Sequence, residues 1–304
     1  MRKLSVSSRR RRIRATVATL LLVSAIPLAL NGVRSSTADA VSLRHAFYLD
    51  LGASQSLGFQ PIGNSRHGFP SDRAYANDLV ALEAARGVAL TLTELGCRGE
   101  SVATMISGGD LCCHAPDSQL ARALAFLRAH HREDGLVSVD LGYNDVGACI
   151  GATSGAPVCA ADRVAQVRQQ LTVVLHALKS AAGPGVTIIG LNHADPFLAR
   201  ALKGGAGVAR ARASLHTMDL LNQTLASVYA GAGVTLADVA GAFESARTTP
   251  TVLARFGPVA RNVARACTLT WMCRPAPLAE NMHPNDAGYQ LMAATMAAAL
   301  PAPW

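Results

Sequence analysis

The sequence has few charged and few aromatic residues, and it contains no cysteine or histidine pair at a metal-binding spacing. Charged residues make up 16% and aromatic residues 5% of the chain, whereas hydrophobic residues make up 50%. Disordered chains have the opposite balance, so this composition predicts a globular protein with a large core. The CxxC and HxxxH spacings are absent, which argues against a zinc site even at the neighbouring Cys112, Cys113 and His114. We therefore expect no metal ion.

The chain also lacks an excess of positive charge outside its first forty residues. The formal net charge is +8, but residues 1–40 hold eight of the 28 basic side chains and one acid, Asp39. The rest of the chain carries 20 basic and 19 acidic side chains, a net charge of +1. A domain that binds nucleic acid or anionic membranes needs a basic surface. The sequence therefore predicts no nucleic-acid partner.

Residues 1–40 have the pattern of an export signal. A basic segment precedes an apolar run over residues 15–30, and the small-x-small sequence at residues 38–40 is typical of a cleavage site. The apolar run is short for a membrane span and contains Pro27. We expect a signal peptide over residues 1–40 and a secreted, extracellular protein, free or associated with the cell envelope. An uncleaved N-terminal anchor is the alternative, and both Sec and twin-arginine export stay open.

The seven cysteines fit an oxidising compartment, because structural disulfides persist outside the cytosol. Their spacing predicts three local bridges, which are Cys97–Cys112, Cys149–Cys159 and Cys267–Cys273. Cys113 would then be free, although spacing alone does not distinguish Cys112 from Cys113 as the partner of Cys97. Each bridge closes a short loop, so we expect it to hold that loop in place.

The rest of the sequence alternates between strand-like and helix-like segments. Short apolar runs predict strands at residues 47–52, 88–93, 136–142, 186–191 and 234–239. Amphipathic or capped segments predict helices at residues 72–86, 118–131, 160–182, 215–230 and 285–300. This alternation predicts a parallel sheet with helices on both faces. Since there is no internal repeat or Pro/Ser-rich linker, residues 41–304 are expected to form one domain.

A serine follows the first predicted strand at the point where that strand ends. Gly52 allows the chain to turn, and Ser54 lies two residues later. Ligands bind outside the carboxyl ends of the strands in open α/β sheets, so Ser54 is a candidate nucleophile. Most serines at such positions cap the next helix instead. Ser56, in the same turn, is the competing nucleophile, although Gly52 frames Ser54 better.

Three later segments place polar groups at the same predicted edge of the sheet. Gly99 follows the second strand, Asn144 follows the third strand, and His283 precedes the last helix. Each has a simpler explanation as a turn or capping residue. Their joint order with Ser54 along the chain favours one common site. His193 follows the fourth strand, where it could face this site or have a surface or packing role.

This order of serine, glycine, asparagine and histidine resembles that of the SGNH hydrolases, the GDSL esterase and lipase family. The resemblance spans nearly all of residues 47–298. The Gly-Asp-Ser block is similar to residues 52–54, with Ala53 in place of Asp, and the second-block glycine matches Gly99. The Gly-x-Asn-Asp block is complete at residues 142–145, and the Asp-x-x-His block matches residues 280–283, with Glu280 in place of Asp. The cysteines and residues 195–197 and 271–273 resemble the secreted actinobacterial branch.

The resemblance implies a serine esterase or lipase on a three-layer α/β/α sandwich with a flavodoxin-like parallel sheet of about five strands. It implies Ser54 as nucleophile, His283 as general base and no metal or organic cofactor. The oxyanion hole would comprise the N–H groups of Ser54 and Gly99 and the side-chain amide of Asn144. Glu280 would orient His283, or a backbone carbonyl from residues 277–279 would replace it. The absence of a Gly-x-Ser-x-Gly elbow argues against the ordinary α/β-hydrolase fold.

The sequence leaves the substrate and one alternative class of protein open. Five aromatic residues that could line the site suit an acyl chain or an aryl ester, and they are Phe59, Phe197, Phe243, Phe256 and Trp271. An acetylated glycan is the competing substrate, and we expect a monomer. Ala53 and Glu280 also allow a secreted binding protein that has lost catalysis. A nucleotide-binding protein would need a phosphate-binding glycine loop, which residues 54–58 do not provide.

Overall fold

The computed structural model describes residues 43–61, 68–109, 117–150 and 156–301, which lie in one compact unit. The predicted signal peptide over residues 1–40 and the cysteines Cys112 and Cys113 lie outside the described residues. Within the described ranges, no helix combines the length and the apolar character needed to cross a membrane.

The centre of the fold is a five-stranded parallel sheet. In chain order the strands are β1 Arg44–Gly52, β2 Gln60–Pro61, β3 Gly68–Phe69, β4 Val88–Glu94, β5 Gly135–Asp140, β6 Val186–Leu191, β7 Thr235–Ala237, β8 Pro250–Leu253 and β9 Gly257–Ala260. The order across the sheet is β4-β1-β5-β6-β7, and all neighbours are parallel. The pairs β2–β3 and β8–β9 are separate and antiparallel. The predicted parallel sheet is confirmed.

Helices cover both faces of this sheet. In chain order they are α1 Tyr75–Ala85, α2 Val102–Ser107, α3 Gln119–Ala129, α4 Tyr143–Ile150, α5 Ala156–Ala181, the 3₁₀ helix Pro196–Lys203, α6 Gly205–Ala232, α7 Val239–Ala242, α8 Arg261–Leu269 and α9 Asp286–Ala299. One hydrophobic cluster packs α3, α5 and α6 against one face, and another packs α1 and α9 against the other. This is the predicted three-layer α/β/α sandwich.

Strand β1 lies between β4 and β5 and is buried on both faces. Leu49 and Leu51 belong to the cluster under α5, whereas Tyr48 belongs to the cluster under α9. A strand covered on both faces has a continuous apolar run, which is why this segment could be predicted from the sequence. In the register with β5, Gly52 pairs with Asp140. The carboxyl ends of β1 and β5 are therefore adjacent, and the segments that follow them can meet.

The structure differs from the sequence prediction around this sheet. Helix α4 begins at Tyr143, where the sequence suggests a turn, and α6 begins at Gly205 rather than near residue 215. Gly205 and Gly207 lower the intrinsic helix propensity of the first turn of α6. The helix nevertheless begins there, packed against the 3₁₀ helix. A Cβ on residue 207 would lie 2.1 Å from the carbonyl oxygen of Arg200. Only glycine allows α6 to approach the 3₁₀ helix this closely.

Candidate active site

The turn after β1 holds Ser54 at the carboxyl edge of the sheet. The Gly52 N–H donates to Oε1 of Gln119 at 2.9 Å, and the Gly52 carbonyl accepts from Nε2 of the same side chain at 3.0 Å. A Cβ on residue 52 would lie 2.9 Å from the carbonyl oxygen of Asp140, so a close approach requires glycine there. The Phe59 N–H closes the turn by donating to the Ser54 carbonyl at 3.1 Å. These contacts fix where the Ser54 side chain points.

Ser54 and His283 meet although they are 229 positions apart in the sequence. The Ser54 Oγ lies 2.8 Å from Nε2 of His283, which is hydrogen-bonding distance. The Phe59 ring packs against the imidazole with 5.6 Å between the ring centroids. Ser54 and His283 line the same cleft, so the structure brings together the two side chains that were predicted as nucleophile and base.

The loop that carries His283 is anchored to the segment after α8. The Trp271 N–H donates to the His283 carbonyl at 3.1 Å, and Thr270 forms an antiparallel bridge with Pro284. The Asn285 side chain caps α9 by accepting from the Gly288 N–H. The imidazole is therefore held from both sides of its loop, by a backbone pair and by a helix cap.

Two of the predicted disulfides are present in the structure. Cys149 and Cys159 join the end of α4 to the start of α5, with a Cα–Cα distance of 5.7 Å. Cys267 and Cys273 close the segment that contains Trp271, with a Cα–Cα distance of 4.9 Å. Cys97 is also disulfide-bonded. Because its predicted partners Cys112 and Cys113 lie outside the described residues, the third pairing stays a prediction.

Asn144 lies in the same cleft, whereas Gly99 does not line it. The backbone of Gly142 has a φ of +109°, which favours glycine and turns the chain from β5 into α4. Nδ2 of Asn144 donates to the carbonyl oxygen of Glu100 at 2.8 Å. This bond uses one of the two amide hydrogens and leaves the second for the cleft. Gly99, with a φ of +76°, is exposed, and its neighbour Glu100 lines the cleft instead.

Glu280 does not contact His283, and the predicted role of Glu280 is wrong for this structure. Its carboxylate pairs with Nζ of Lys203 on the surface, because the glutamate side chain extends outward. Nδ1 of His283 lies 2.9 Å from Oδ1 of Asn281 instead. The alternative prediction was that a backbone carbonyl from residues 277–279 accepts the hydrogen bond of Nδ1, but the Asn281 side chain occupies that position. Asn281 is the site residue that the sequence did not indicate. It follows directly after Glu280, the residue that matches the expected acid in the Asp-x-x-His block.

We expect the substitution Glu280→Gln to leave kcat within about twofold of wild type. It removes only an exposed ion pair, and such pairs contribute about 0–1 kcal/mol to stability. The measurement is kcat for p-nitrophenyl butyrate, with Lys203→Gln as the matched control for loss of the same pair. A loss of several thousandfold in Glu280→Gln alone would restore Glu280 as a true triad acid.

Burial and one arginine keep the imidazole of His283 neutral. Burial lowers the pKa of His283 to about 4, and the positive charge of Arg98 lowers it as well. A histidine with this pKa is unprotonated at pH 7, so Nε2 can accept the hydroxyl proton of Ser54. No carboxylate contributes to this pKa. The electrostatics of the site therefore agree with the position of Glu280 away from the ring.

The cleft around Ser54 is mainly apolar. It opens to solvent, and its apolar walls include Leu141, Val239, Phe243, Met282 and Met292. The other aromatic residues that were predicted to line it lie elsewhere. Phe59 packs on the imidazole, Phe256 is 41% exposed on the β8–β9 pair, and Phe197 and Trp271 stack with Arg200 and Arg274.

A buried polar pair also lines the cleft. Nε2 of His193 donates to the carbonyl oxygen of Leu141 at 2.9 Å, so this nitrogen carries the hydrogen. Nδ1 of His193 faces Oδ1 of Asp140 at 3.5 Å, and both side chains are 2% exposed. Burial raises the pKa of Asp140. His193 thus faces the site as a buried residue. Asp140 was not predicted as a site residue, although a carboxylate at the end of an apolar strand could have indicated it.

The polar residues of the site do not form a metal centre. Over the described ranges, no group of three or more His, Cys, Asp or Glu side chains could hold a metal ion. Cys112, Cys113 and His114 lie outside those ranges.

The five-stranded parallel sheet between two layers of helices is the fold of the SGNH hydrolases. The sequence profile of the GDSL-like Lipase/Acylhydrolase family matches residues 52–291. The chain therefore belongs to this family, and membership supports ester hydrolase activity.

Solved structures with this fold include two from Streptomyces. An extracellular lipase from Streptomyces rimosus is 20% identical with a TM-score of 0.54, and the match covers 84% of this chain and 100% of that chain. Phospholipase A1 from Streptomyces albidoflavus NA297 is 18% identical with a TM-score of 0.50, and the match covers 84% of this chain and 99% of that chain. These similarities show the fold. No curated protein matches the chain.

Proposed function

We propose that the chain is a secreted serine hydrolase that cleaves carboxylic esters through an acyl-enzyme on Ser54. The observation that carries this proposal is the 2.8 Å contact between Ser54 Oγ and Nε2 of His283 in the cleft at the carboxyl edge of the sheet. A neutral histidine in contact with a serine hydroxyl is the arrangement that activates a serine nucleophile.

The reaction proceeds in two steps. Ser54 Oγ attacks the ester carbonyl carbon while Nε2 of His283 takes the hydroxyl proton. The imidazolium then gives this proton to the leaving alcohol oxygen, and the acyl group stays on Ser54. In the second step His283 takes a proton from water, the water oxygen attacks the acyl carbon, and the proton returns to Ser54 as the acid leaves.

The oxyanion formed in each step is stabilised by N–H groups that are not used by other hydrogen bonds within the described residues. The N–H groups of Ser54 and Gly99 form no hydrogen bond within the described residues. The Asn144 amide is oriented by Glu100 and has one hydrogen left. Each donor of this kind contributes about 3–4 kcal/mol to transition-state stabilisation. Gly99 does not line the cleft in this structure, so its part in the oxyanion hole stays a prediction.

The apolar walls and the disulfides support the remaining parts of the proposal. Apolar side chains such as Phe243 and Met292 favour an ester with an apolar acyl group over an acetylated glycan. The two disulfides and the similarity to an extracellular lipase are compatible with secretion, with residues 1–40 as the proposed signal. The protein needs no cofactor for this reaction, and it acts as a monomer.

Labelling with a fluorophosphonate probe tests this proposal. The purified protein is incubated with the probe at pH 7, digested, and mapped by mass spectrometry, with heat-denatured protein as the control. We expect one label on the peptide that contains Ser54, because only an activated serine reacts with the probe. Label on Ser56 would identify Ser56 as the nucleophile instead of Ser54. The absence of any label, together with no hydrolysis of p-nitrophenyl esters, would favour the binding protein without catalysis.

A further inference from the structure

The orientation of the Asn281 amide is fixed by a backbone donor. Oδ1 of Asn281 lies 2.9 Å from the backbone nitrogen of His283 and 2.9 Å from Nδ1 of the same residue. A backbone N–H can only donate, so the amide atom that faces it must be the oxygen and not the nitrogen. The same oxygen faces the imidazole. Nδ1 must therefore carry a hydrogen and donate it to Asn281.

This hydrogen on Nδ1 determines the state of the other ring nitrogen. In a neutral imidazole one nitrogen is a donor and the other an acceptor. With Nδ1 as donor, Nε2 presents its lone pair to Ser54 Oγ at 2.8 Å. Asn281 therefore selects the tautomer in which His283 can act as a base. It does so from a buried position, since Asn281 is only 6% exposed.

The charged groups near His283 do not replace a triad acid. The carboxylate of Glu280 pairs with Lys203. Glu100 and Asp140 line the cleft, but burial raises the pKa of each. Beyond them the cleft contains His193, and the positive charge of Arg98 lowers the pKa of His283. Among the described residues, the only side-chain acceptor on Nδ1 is thus the neutral amide.

We propose that Asn281 is the positioning residue of this site, and that His283 acts as a base held by a neutral amide instead of a carboxylate. The inference rests on the proposed function, because it concerns how Ser54 is activated. Cysteine proteases of the papain type also orient a catalytic histidine with an asparagine. In a serine protease, changing the triad aspartate to asparagine costs about 10⁴ in kcat because the wrong tautomer results. Here the backbone N–H of His283 prevents that outcome by turning the amide oxygen towards the ring.

A neutral partner has a consequence for the pH dependence. A carboxylate beside an imidazole stabilises the charged ring and raises its pKa, whereas an amide does not. With the pKa of His283 at about 4, the base is lost only when the pH falls through about 4. The acid limb of kcat/KM, which reports the free enzyme, is therefore expected near pH 4 instead of the usual range of histidine.

Two substitutions at one position test this proposal. Asn281→Ala removes the acceptor, so we expect kcat to fall about 10²-fold with KM within about twofold. Asn281→Asp keeps the shape and adds a charge, so we expect kcat at pH 8 to stay within about tenfold. The acid limb of Asn281→Asp should move upward by about 1–3 pH units, because an adjacent opposite charge favours the imidazolium.

The controls separate positioning from folding and from the proposed function itself. Asn262 is buried to a similar extent, and its side-chain amide forms hydrogen bonds with the backbone of Ser245 and Val263, away from the cleft. Asn262→Asp should therefore leave the acid limb of kcat/KM in place. Thermal unfolding midpoints show whether Asn281→Ala folds. If Asn281→Ala does not fold, the pH profile of Asn281→Asp tests the inference. The inference would be overturned if the wild type is active and Asn281→Asp has the same pH profile as the wild type. An inactive, unlabelled wild type would overturn the proposed function instead.

Discussion

Replacing Ser54 with alanine is expected to abolish hydrolysis of p-nitrophenyl butyrate while the protein stays folded. The Ser54 hydroxyl oxygen lies 2.8 Å from Nε2 of His283, and alanine has no nucleophile to take its place. Loss of the nucleophile alone costs about 10⁶ in kcat in a well-characterised serine protease. Ser54 is only partly buried, so the loss of its hydroxyl should cost little stability.

The matched control for this substitution is Ser56→Ala in the same turn. Ser56 is fully buried, and its hydroxyl donates to the Ala53 carbonyl at 2.8 Å. Its loss should lower the free energy of unfolding by about 1–3 kcal/mol and leave most of kcat. Initial rates and thermal unfolding midpoints of both variants provide the comparison. If Ser54→Ala kept more than about a tenth of wild-type kcat, the acyl-enzyme mechanism on Ser54 would be wrong.

Replacing Asn144 with alanine is expected to have the second largest effect, a loss of about 10²–10³ in kcat with little change in KM. The amide hydrogen that is not bound to Glu100 can reach charge that develops only in the transition state, so its loss acts on kcat. The lost bond to the Glu100 carbonyl should cost about 1 kcal/mol of stability.

Full kinetics over a range of ester concentrations separate the two effects of Asn144→Ala. The buried Asn262 again offers a control, because Asn262→Ala removes an amide that lies outside the cleft. A rise in KM at unchanged kcat would show that Asn144 positions the substrate and is not an oxyanion donor.

The core of the fold could be predicted because local pattern and tertiary environment agree there. The segments of β1, β5 and β6 are short apolar runs, and a parallel sheet buries such runs on both faces. The prediction failed where packing opposed propensity. The turn between β8 and β9 contains Arg255 with a φ of +74°, a conformation that sequence pattern does not indicate for arginine.

The Cα positions of the candidate site were predictable for a different reason. Ser54 and Asn144 follow neighbouring parallel strands, whose carboxyl ends meet at one edge of the sheet. His283 precedes a helix that packs on this sheet, so the chain order places it near the same edge. None of these placements requires knowledge of side-chain direction.

Side-chain direction is what only the tertiary structure decided. By itself the sequence indicated the strand order along the chain, the candidate nucleophile and base, and two of the local disulfides, because these follow from apolar runs and short spacings. It did not determine which residue orients His283, since Glu280 and Asn281 are adjacent and both carry an acceptor oxygen. The choice depends on Lys203, which is 77 positions away from Glu280 and holds its carboxylate at the surface. The buried amide of Asn281 then faces the imidazole.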